Sequence, residues 1–308
     1  MVLNRTLNGL MLLFVVQVIL FSLYYLFENR AIKTTKVMQE EQQLHALALW
    51  HKVSQSKEYK VSYVSPLEPK VSKSPFRVIS PKGLEDIIPL KDQLVPPVLY
   101  TNSIPLDRLS IEQKKEAFIS MMLPSILLAK YKIRLERVKL LKLSVKSYWS
   151  EADRKWLKEK RESYHAKDYV QLYQAMELHP TSLILAQAIV ESGWGTSKFF
   201  QKANNVFGVW SFDPKDNRIA ASEKRGKKRI YLKKYETLVE SIHDYLLTIS
   251  RHQSYQKFRQ KRLKSQDPFV LVNYLDKYSE QGDAYIKNLK NIIKSNNLAR
   301  YDRYRLAL

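Results

Sequence analysis

Residues 182–210 read SLILAQAIVESGWGTSKFFQKANNVFGVW, and the composition of this stretch changes abruptly after Glu191. The residues before Glu191 are nearly all apolar or small, which predicts a buried helix that begins at Pro180 and is stopped by Gly193. Helical spacing places Glu191 on the same face as Gln187. A carboxyl in an apolar setting is desolvated, so we expect its pKa to be raised. The alternative is a helix-terminal glutamate that faces solvent or pairs with a basic neighbour.

The segment that follows Glu191 is rich in glycine and aromatic residues. Gly193, Gly195 and Gly208 are three of only seven glycines in the chain, and Trp194 lies between the first two. A carboxylic acid with a raised pKa is what glycosidic cleavage requires of its general acid. The pattern therefore favours a glycosidase site at the end of this helix.

Two motifs carry a family resemblance. Residues 191–197 (ESGWGTS), followed by 204–210 (NNVFGVW), resemble the bacterial β-N-acetylglucosaminidase domain of flagellar muramidase-type and autolysin-type peptidoglycan hydrolases. This similarity covers about 165–300, and similarity to the Bax-like branch of the family extends it to about 95–305. The resemblance implies a lysozyme-like fold and hydrolysis of the β-1,4 bond after N-acetylglucosamine in peptidoglycan, with Glu191 as the catalytic acid.

The resemblance also implies roles for residues farther along the chain. Glu223 lies in a segment similar to the one that holds the family's second carboxylate, which makes it the candidate base for water; Asp213 and Asp216 are alternatives in the same lobe. The substrate acetamido group is a further alternative. Tyr278 matches the family's active-site tyrosine, which is able to hydrogen-bond substrate or water. Tyr285 is expected to pack the helix that follows.

Aromatic and amide side chains near the predicted site are the candidates for substrate binding. They are Trp194, Asn205, Phe207, Trp210 and Tyr235. Because aromatic side chains are also ordinary core material, we expect only one or two of them to contact sugar. Asn204 and Asn205 are also expected to bond irregular backbone and hold their loop.

The N-terminus predicts a membrane anchor. Residues 9–27 carry no charged side chain and, at about 1.5 Å per residue, would span roughly 28 Å as a helix, close to the thickness of a bilayer core. The run ends in bulky side chains and has no small-residue cleavage site, so we expect an uncleaved anchor. The expected fold is α+β and mainly α, lysozyme-like with a small β-hairpin lobe, and it is preceded by this transmembrane helix.

The rest of the chain divides by composition and periodicity. Eight of the twelve prolines lie between residues 66 and 105, which excludes a long helix there, and apolar residues recur at helical spacing from Ser110 onward. Further predicted elements are helices at 151–163, 167–177, 236–250, 267–278 and 283–297, and a small β element within 206–235. The predicted parts are a signal anchor (1–30), a polar and proline-rich stalk (31–105), a helical extension (106–165) and the glucosaminidase domain (166–308).

Composition restricts the partners. The chain has 52 Lys and Arg against 30 Asp and Glu, a net charge of +22, and no cysteine. The charge favours an anionic partner, and the lack of cysteine excludes disulfides and thiolate metal sites. None of the six histidines has metal-ligand spacing, and no glycine-rich phosphate loop occurs. We expect no cofactor, no metal and no nucleic-acid partner. The expected protein is a monomer that acts on peptidoglycan glycan strands outside a bacterial inner membrane.

Three other functions stay open on the sequence. A catalytically weak peptidoglycan-binding scaffold would bind sacculi and release nothing. Lytic transglycosylase-like cleavage would leave anhydro-muramyl ends, but the Gly-Leu-Met-Gln motif of those enzymes is absent. A basic binder of nucleic acid or anionic lipid would show salt-sensitive affinity for DNA, and it would leave the 191–210 cluster unexplained.

Overall fold

Most of the chain from residue 76 onward is described by the computed structural model. The residues covered are Leu44, Leu47, 76–225 and 228–308, without the side chains of 222–225 and 228. The predicted membrane segment and most of the predicted stalk before residue 76 lie outside this description. Within the residues covered, no helix is both long and apolar enough to cross a bilayer.

Helices dominate the described residues and strands are few, as the sequence predicted. In chain order the helices are α1 (Ile111–Ser144), α2 (Glu151–Ser163), α3 (Tyr169–Ala175), α4 (Thr181–Ser192), α5 (Lys198–Ala203), α6 (Leu238–Arg251), α7 (Gln256–Arg262), α8 (Pro268–Leu271) and α9 (Asp283–Ser295). The strands are β1 (Arg77–Ile79), β2 (Leu94–Val95), β3 (Val98–Tyr100), β4 (Arg218–Arg225), β5 (Lys228–Lys233) and β6 (Arg305–Leu306). Short 3₁₀ segments occur at Leu84–Asp86, Gln253–Tyr255, Val272–Tyr274 and Leu298–Arg303.

The strands form three separate two-stranded pairs. β1 pairs in parallel with β3, and β2 pairs in parallel with the C-terminal β6, which holds the extended segment before α1 against the rest of the fold. β4 and β5 form an antiparallel hairpin, which is the small β element predicted from the sequence. The hairpin register shifts between Ala220 and Lys224. Over this interval β4 advances four residues while β5 advances two, as at a β-bulge.

The long helix α1 forms one side of the core. Ser110 caps its N-terminus by accepting a hydrogen bond from the Gln113 backbone at 3.2 Å, and the Gln113 side chain accepts in return from Ser110. Every residue from 117 to 130 is buried, where α1 packs against α4, α6 and β3. The ammonium of Lys130 is part of this contact: it donates to the His179 carbonyl at 3.0 Å and to the Thr181 hydroxyl at 2.9 Å.

The helix that carries Glu191 is buried on all sides over most of its length. All residues of α4 from Thr181 to Ile189 are buried, as expected for a helix that is apolar around its circumference. It follows Pro180 and ends at Gly193, which confirms the predicted helix to within one residue at each end. Glu191 therefore lies in the last turn of a central helix, at the point where the chain leaves the core.

The predicted helix at 267–278 is wrong in its length. The chain forms only the single turn α8 and the 3₁₀ segment that follows. The side-chain amide of Asn273 donates to the carbonyls of Phe269 and Val270, which occupies acceptors that a longer α-helix would use. The short helices α5 and α7 were not predicted.

Candidate active site

The turn after α4 adopts a left-handed backbone at three consecutive residues. Gly193, Trp194 and Gly195 have φ values of 57°, 58° and 77°. The amide of Trp194 donates to the Ile189 carbonyl at 3.1 Å, and the Ser192 hydroxyl accepts from the Gly195 amide at 3.0 Å. Glycine favours this conformation because it has no Cβ, so the two glycines of the motif hold the turn that carries Trp194 out of the helix.

Gly195 is also required by close packing. A Cβ at this position would lie 2.8 Å from Leu106 and 3.0 Å from both Phe118 and Phe200. Leu106 and Phe118 precede the family-like segment, and both are fully buried. The turn after α4 therefore packs directly against Leu106 and against Phe118 of α1.

Glu191 lies in a partly buried, uncharged environment. Burial raises the pKa of its carboxyl, and a hydrogen bond from Tyr285 acts in the opposite direction. The Tyr285 hydroxyl donates to Oε1 of Glu191 at 2.9 Å. In the part of the chain that the structure describes, Glu191 has no ion-pair partner. The predicted direction of the pKa shift is confirmed, and this carboxyl is suited to carry a proton.

A buried chain of hydrogen bonds leads to Glu191 from the start of α4. Nε2 of His179 lies 3.0 Å from the hydroxyl of Tyr245, and that hydroxyl donates to Oε1 of Gln187 at 2.5 Å. Nε2 of Gln187 donates to the hydroxyl of Tyr285 at 3.3 Å, and Tyr285 donates to Glu191. We call this chain of His179, Tyr245, Gln187 and Tyr285 the Gln187 relay.

Tyr285 is buried and packs its helix as expected, and it also hydrogen-bonds Glu191, which was not predicted. Tyr285 lies in the first turn of α9, and the docking of α9 on α4 points its hydroxyl at Glu191. The sequence signal was weak because Tyr278 matches the family's tyrosine and lies only seven positions earlier. A second tyrosine at the start of a helix is more often a packing residue.

Tyr278 lies in a cluster of tyrosine rings beside Glu191. Its ring stacks on Tyr285 at 5.6 Å and 13°, and lies 6.3 Å from Tyr245 and 6.1 Å from Tyr255. Burial, together with these neighbours and Glu191, raises the pKa of Tyr278 well above its ordinary value. Its hydroxyl makes no hydrogen bond to any residue in the described ranges, so its predicted contact with substrate or water stays a prediction.

Glu223 lies in β4, within the register shift between Ala220 and Lys224. Its side chain is outside the described part of the chain, so its role as base stays a prediction. Asp213 and Asp216 lie in the turn before β4: Asp213 accepts from the Lys215 backbone, and Asp216 accepts from the Ser211 hydroxyl at 2.9 Å.

Asn205 holds the loop and does not face a ligand. It is 1% exposed, its amide donates to the carbonyls of Val209 and Lys233, and its Oδ1 accepts from the Val209 backbone. This corrects its prediction as a substrate ligand, because its side chain is enclosed and bonded to backbone. Asn204 has the same kind of role, since it donates to the carbonyls of Thr101 and Tyr235.

Two of the predicted aromatic ligands, Phe207 and Trp194, contact other rings of the fold. Phe207 is 7% exposed and stacks on Tyr245 at 4.1 Å, so it supports the relay, and its prediction as a sugar ligand is wrong. Trp194 remains partly exposed, with its ring edge-on to Phe118 and the Lys115 ammonium 5.3 Å from its centre. Its contact with substrate stays a prediction.

An exposed aromatic pair lies beside the hairpin. Trp210 is 40% exposed and Phe212 is 83% exposed, with their ring centres 6.1 Å apart. Trp210 is fixed by a bridge to Leu232 of β5. Tyr235 is partly buried, and its hydroxyl donates to Asp244 at 2.7 Å, which leaves only its ring for a ligand. Sequence reasoning missed Phe212, although it follows Trp210 at the spacing that puts two side chains on one face of a strand.

A partly buried carboxylic acid at the end of a central helix is the kind of group that glycoside hydrolases use as their general acid. Residues 166–298 match the model of the glucosaminidase family, described as mannosyl-glycoprotein endo-beta-N-acetylglucosaminidase. The resemblance read from the two motifs is confirmed. In the described residues, no group of three His, Asp or Glu side chains is placed to hold a metal ion.

Three known proteins illustrate what this chain is similar to. The chain is 29% identical over 186 residues to protein bax of Escherichia coli (strain K12), an alignment that covers 56% of this chain and 66% of that protein. It is 35% identical over 96 residues to the exo-glucosaminidase LytG of Bacillus subtilis (strain 168), which covers 29% of this chain and 33% of LytG. The chain thus spans just under two thirds of the first relative and one third of the second. The catalytic domain of the autolysin Auto from Listeria monocytogenes matches 54% of this chain and 97% of its own length, at a TM-score of 0.35 and 21% identity.

Proposed function

We propose that this protein hydrolyses the β-1,4 glycosidic bond after N-acetylglucosamine in peptidoglycan, with Glu191 as the general acid. The observation that carries the proposal is the state of Glu191: a partly buried carboxyl, without a counter-ion in the described residues, whose raised pKa keeps it protonated at higher pH than an exposed glutamate. Such a group donates its proton to the leaving oxygen as the glycosidic bond breaks.

Water is the second reactant. In the proposed reaction it attacks the anomeric carbon while Glu191 protonates the leaving oxygen, so that one bond to the sugar breaks and one forms. Glu223 or the acetamido group of the substrate assists this attack; the two differ in whether the enzyme supplies a second carboxylate. The location of Glu223 on the hairpin, in the same lobe as Trp210, supports the first option.

Three features support peptidoglycan as the substrate. LytG, which matches part of this chain, is described as an exo-glucosaminidase, and protein bax matches a longer part. The exposed ring pair of Trp210 and Phe212 offers flat apolar faces for a sugar ring. The net charge of +22 suits an anionic wall polymer.

The proposed location is the outer face of a bacterial inner membrane. It rests on the uncharged segment 9–27, which is long enough to span a bilayer core, and on the substrate, which lies outside the cytoplasm. The proposal includes a stalk between this anchor and the catalytic domain, a lysozyme-like arrangement around α4, and a monomeric enzyme.

The direct test is release of reducing ends from purified sacculi by the full chain. We expect release by the unmutated chain and a loss of at least about a hundredfold in Glu191→Gln, because general acid catalysis typically contributes that much or more. Glu159→Gln, which neutralises an exposed glutamate on α2, is the matched control and keeps full activity. Undiminished release by Glu191→Gln would contradict the assignment. Binding of sacculi without release would indicate a scaffold.

A further inference from the structure

The hydrogen bonds of the Gln187 relay have a defined direction. A tyrosine hydroxyl has one hydrogen to donate, and the Tyr245 hydroxyl gives it to Oε1 of Gln187. With its carbonyl oxygen facing Tyr245, Gln187 presents its NH₂ group to Tyr285. The oxygen of Tyr285 therefore accepts from Gln187, and its own hydrogen goes to Oε1 of Glu191.

The same rule fixes the other end of the relay. Because the hydrogen of Tyr245 is already committed to Gln187, the Tyr245 oxygen accepts from Nε2 of His179, which must carry the ring hydrogen. Nδ1 of His179 is buried and has no partner in the described residues. Burial, with the positive charges of Arg262 and Lys130, lowers the pKa of His179 well below its ordinary value, so the ring is neutral. Every hydrogen bond of the Gln187 relay is thus donated in the direction of Glu191.

We infer that the Gln187 relay fixes Oε1 of Glu191 as a hydrogen-bond acceptor, so that the acid proton of Glu191 is held on Oε2. Oε1 of Glu191 receives the hydrogen of Tyr285. The carboxyl proton of Glu191 therefore cannot also lie on Oε1 along the line to the Tyr285 hydroxyl. The relay thus orders one acid proton on one oxygen before substrate binds. This inference rests on the proposed function, in which that proton is the one transferred to the leaving group.

The surroundings of Glu191 preserve this order. Glu191 raises the pKa of titratable groups from three parts of the chain: Tyr245 of α6, Tyr255 of the 3₁₀ segment after α6, and Tyr278 and Tyr285 around the start of α9. Burial raises the pKa of all four tyrosines, so each remains neutral across the working pH range. Phe207 covers Tyr245 on its ring face, and Phe258 lies edge-on to His179 at 5.3 Å.

His179, Tyr245 and Gln187 act in this scheme as positioning residues, since they reach Glu191 only through Tyr285. Removal of the Tyr285 hydroxyl takes a donor away from the carboxylate form of Glu191, so the pKa of Glu191 rises further. Removal of the Tyr245 hydroxyl frees Gln187 to rotate, which weakens the hydrogen bond from Tyr285 to Glu191. The pKa of Glu191 therefore rises in this variant too, but by less. A purely structural role would lower activity without moving the pKa of Glu191.

The test compares Tyr285→Phe and Tyr245→Phe with Tyr164→Phe in the full chain. Tyr164 is the matched control because its hydroxyl is buried outside the relay and has no partner in the described residues. The carboxyl pKa of Glu191 is read by ¹³C NMR titration of chain labelled with [δ-¹³C]glutamate, the signal being assigned by its absence in Glu191→Gln. The pH profile of sacculus digestion is measured in parallel.

We expect the titration midpoint to move to higher pH in Tyr285→Phe, to move less in Tyr245→Phe and to stay in place in Tyr164→Phe. The alkaline limb of kcat/KM should follow the midpoint, with a plateau reduced about tenfold in Tyr285→Phe. An unchanged midpoint in either relay variant would overturn the inference, and so would a shift to lower pH, which would mean that Tyr285 accepts the acid proton. Absence of digestion by the unmutated chain would remove the proposed function alone, since the titration needs no substrate.

Discussion

The hydroxyl of Tyr285 lies 2.9 Å from Oε1 of Glu191, although 94 positions separate the two residues in the chain. The contact joins the last turn of α4 to the first turn of α9, and it is the one hydrogen bond that the Glu191 carboxyl makes within the described residues. It stabilises the charged carboxylate, whereas burial of the same group stabilises the neutral acid. Because burial is the larger effect, the acid form persists above the ordinary titration range of glutamate.

The pH dependence of activity follows from this balance. A general acid works only while protonated, so kcat/KM should fall tenfold per pH unit above the pKa of Glu191. Since that pKa is raised, the alkaline limb should lie above the ordinary glutamate value of 4.5. Initial rates on sacculi across the pH range measure it. An alkaline limb at or below 4.5 would contradict the buried environment of Glu191.

Gly195→Ala should be strongly destabilising. The alanine would adopt a positive φ and would bring its Cβ within 3.0 Å of buried side chains, so we expect a loss of about 3 kcal/mol from strain and overpacking together. Gly208→Ala is the matched control: its φ is 64°, but no atom lies within 4 Å of the new Cβ, so only about 1 kcal/mol of strain is expected. Urea unfolding measures both. Equal losses would show that the contact with Leu106 and Phe118 is not tight.

The buried ammonium of Lys130 should make stability depend on pH. Burial, assisted by the charge of Arg134, lowers its pKa from 10.5 to about 7. Between these values the unfolded chain holds a proton that the folded chain lacks, so the Lys130 contribution to the free energy of unfolding rises with pH by up to about 1.4 kcal/mol per unit. This contribution is complete above the unfolded-state pKa.

Comparison of variants isolates the Lys130 contribution. Urea unfolding at several pH values between 7.5 and 9.5 should show a smaller rise in Lys130→Met than in the unmutated chain. Lys132→Met, which replaces an exposed lysine on the same helix, should keep the full rise. A slope that is the same in all three chains would mean that Lys130 does not titrate in this window.

The aromatic pair at the hairpin should contribute to substrate binding. In a Glu191→Gln background, which prevents digestion, alanine at Trp210 or Phe212 should weaken binding to sacculi about fivefold each, since a stacked aromatic is worth about 1 kcal/mol. Tyr148→Ala removes an aromatic ring that is 71% exposed between α1 and α2 and should leave binding unchanged. Co-sedimentation with sacculi measures all three variants. Equal binding by the Trp210, Phe212 and Tyr148 variants would exclude the hairpin surface as a sugar contact.

Local patterns predicted the helix that carries the acid, because the apolar run and Gly193 determine both its burial and its end. The same holds for the hairpin and for α9, predicted at 283–297 and found at Asp283–Ser295. The segment 267–278 has the composition of a helix, but the side chain of Asn273 caps it early. Short helices such as α5 lack enough periodic positions to be recognised.

The site was predicted only where a single motif contained it. Glu191 and its raised pKa follow from α4 alone, whereas the partners of Glu191 come from distant segments that meet only in the folded chain. His179 is a lone histidine before a proline, and nothing in its neighbourhood indicates a link to Tyr245, which lies 66 positions away. Asn205 and Phe207 fit the motif equally well as ligands or as structural residues, and only their burial separates the two roles.

The central claim is tested most directly by the chemistry of the new chain end. Sacculi digested by the full chain in H₂¹⁸O should yield fragments that end in N-acetylglucosamine with one ¹⁸O at the reducing carbon, as read by mass spectrometry, and Glu191→Gln should yield almost none. This result would show hydrolysis at the proposed bond by the proposed acid. Ends of 1,6-anhydro-muramic acid without ¹⁸O, or reducing ends of N-acetylmuramic acid, would contradict it.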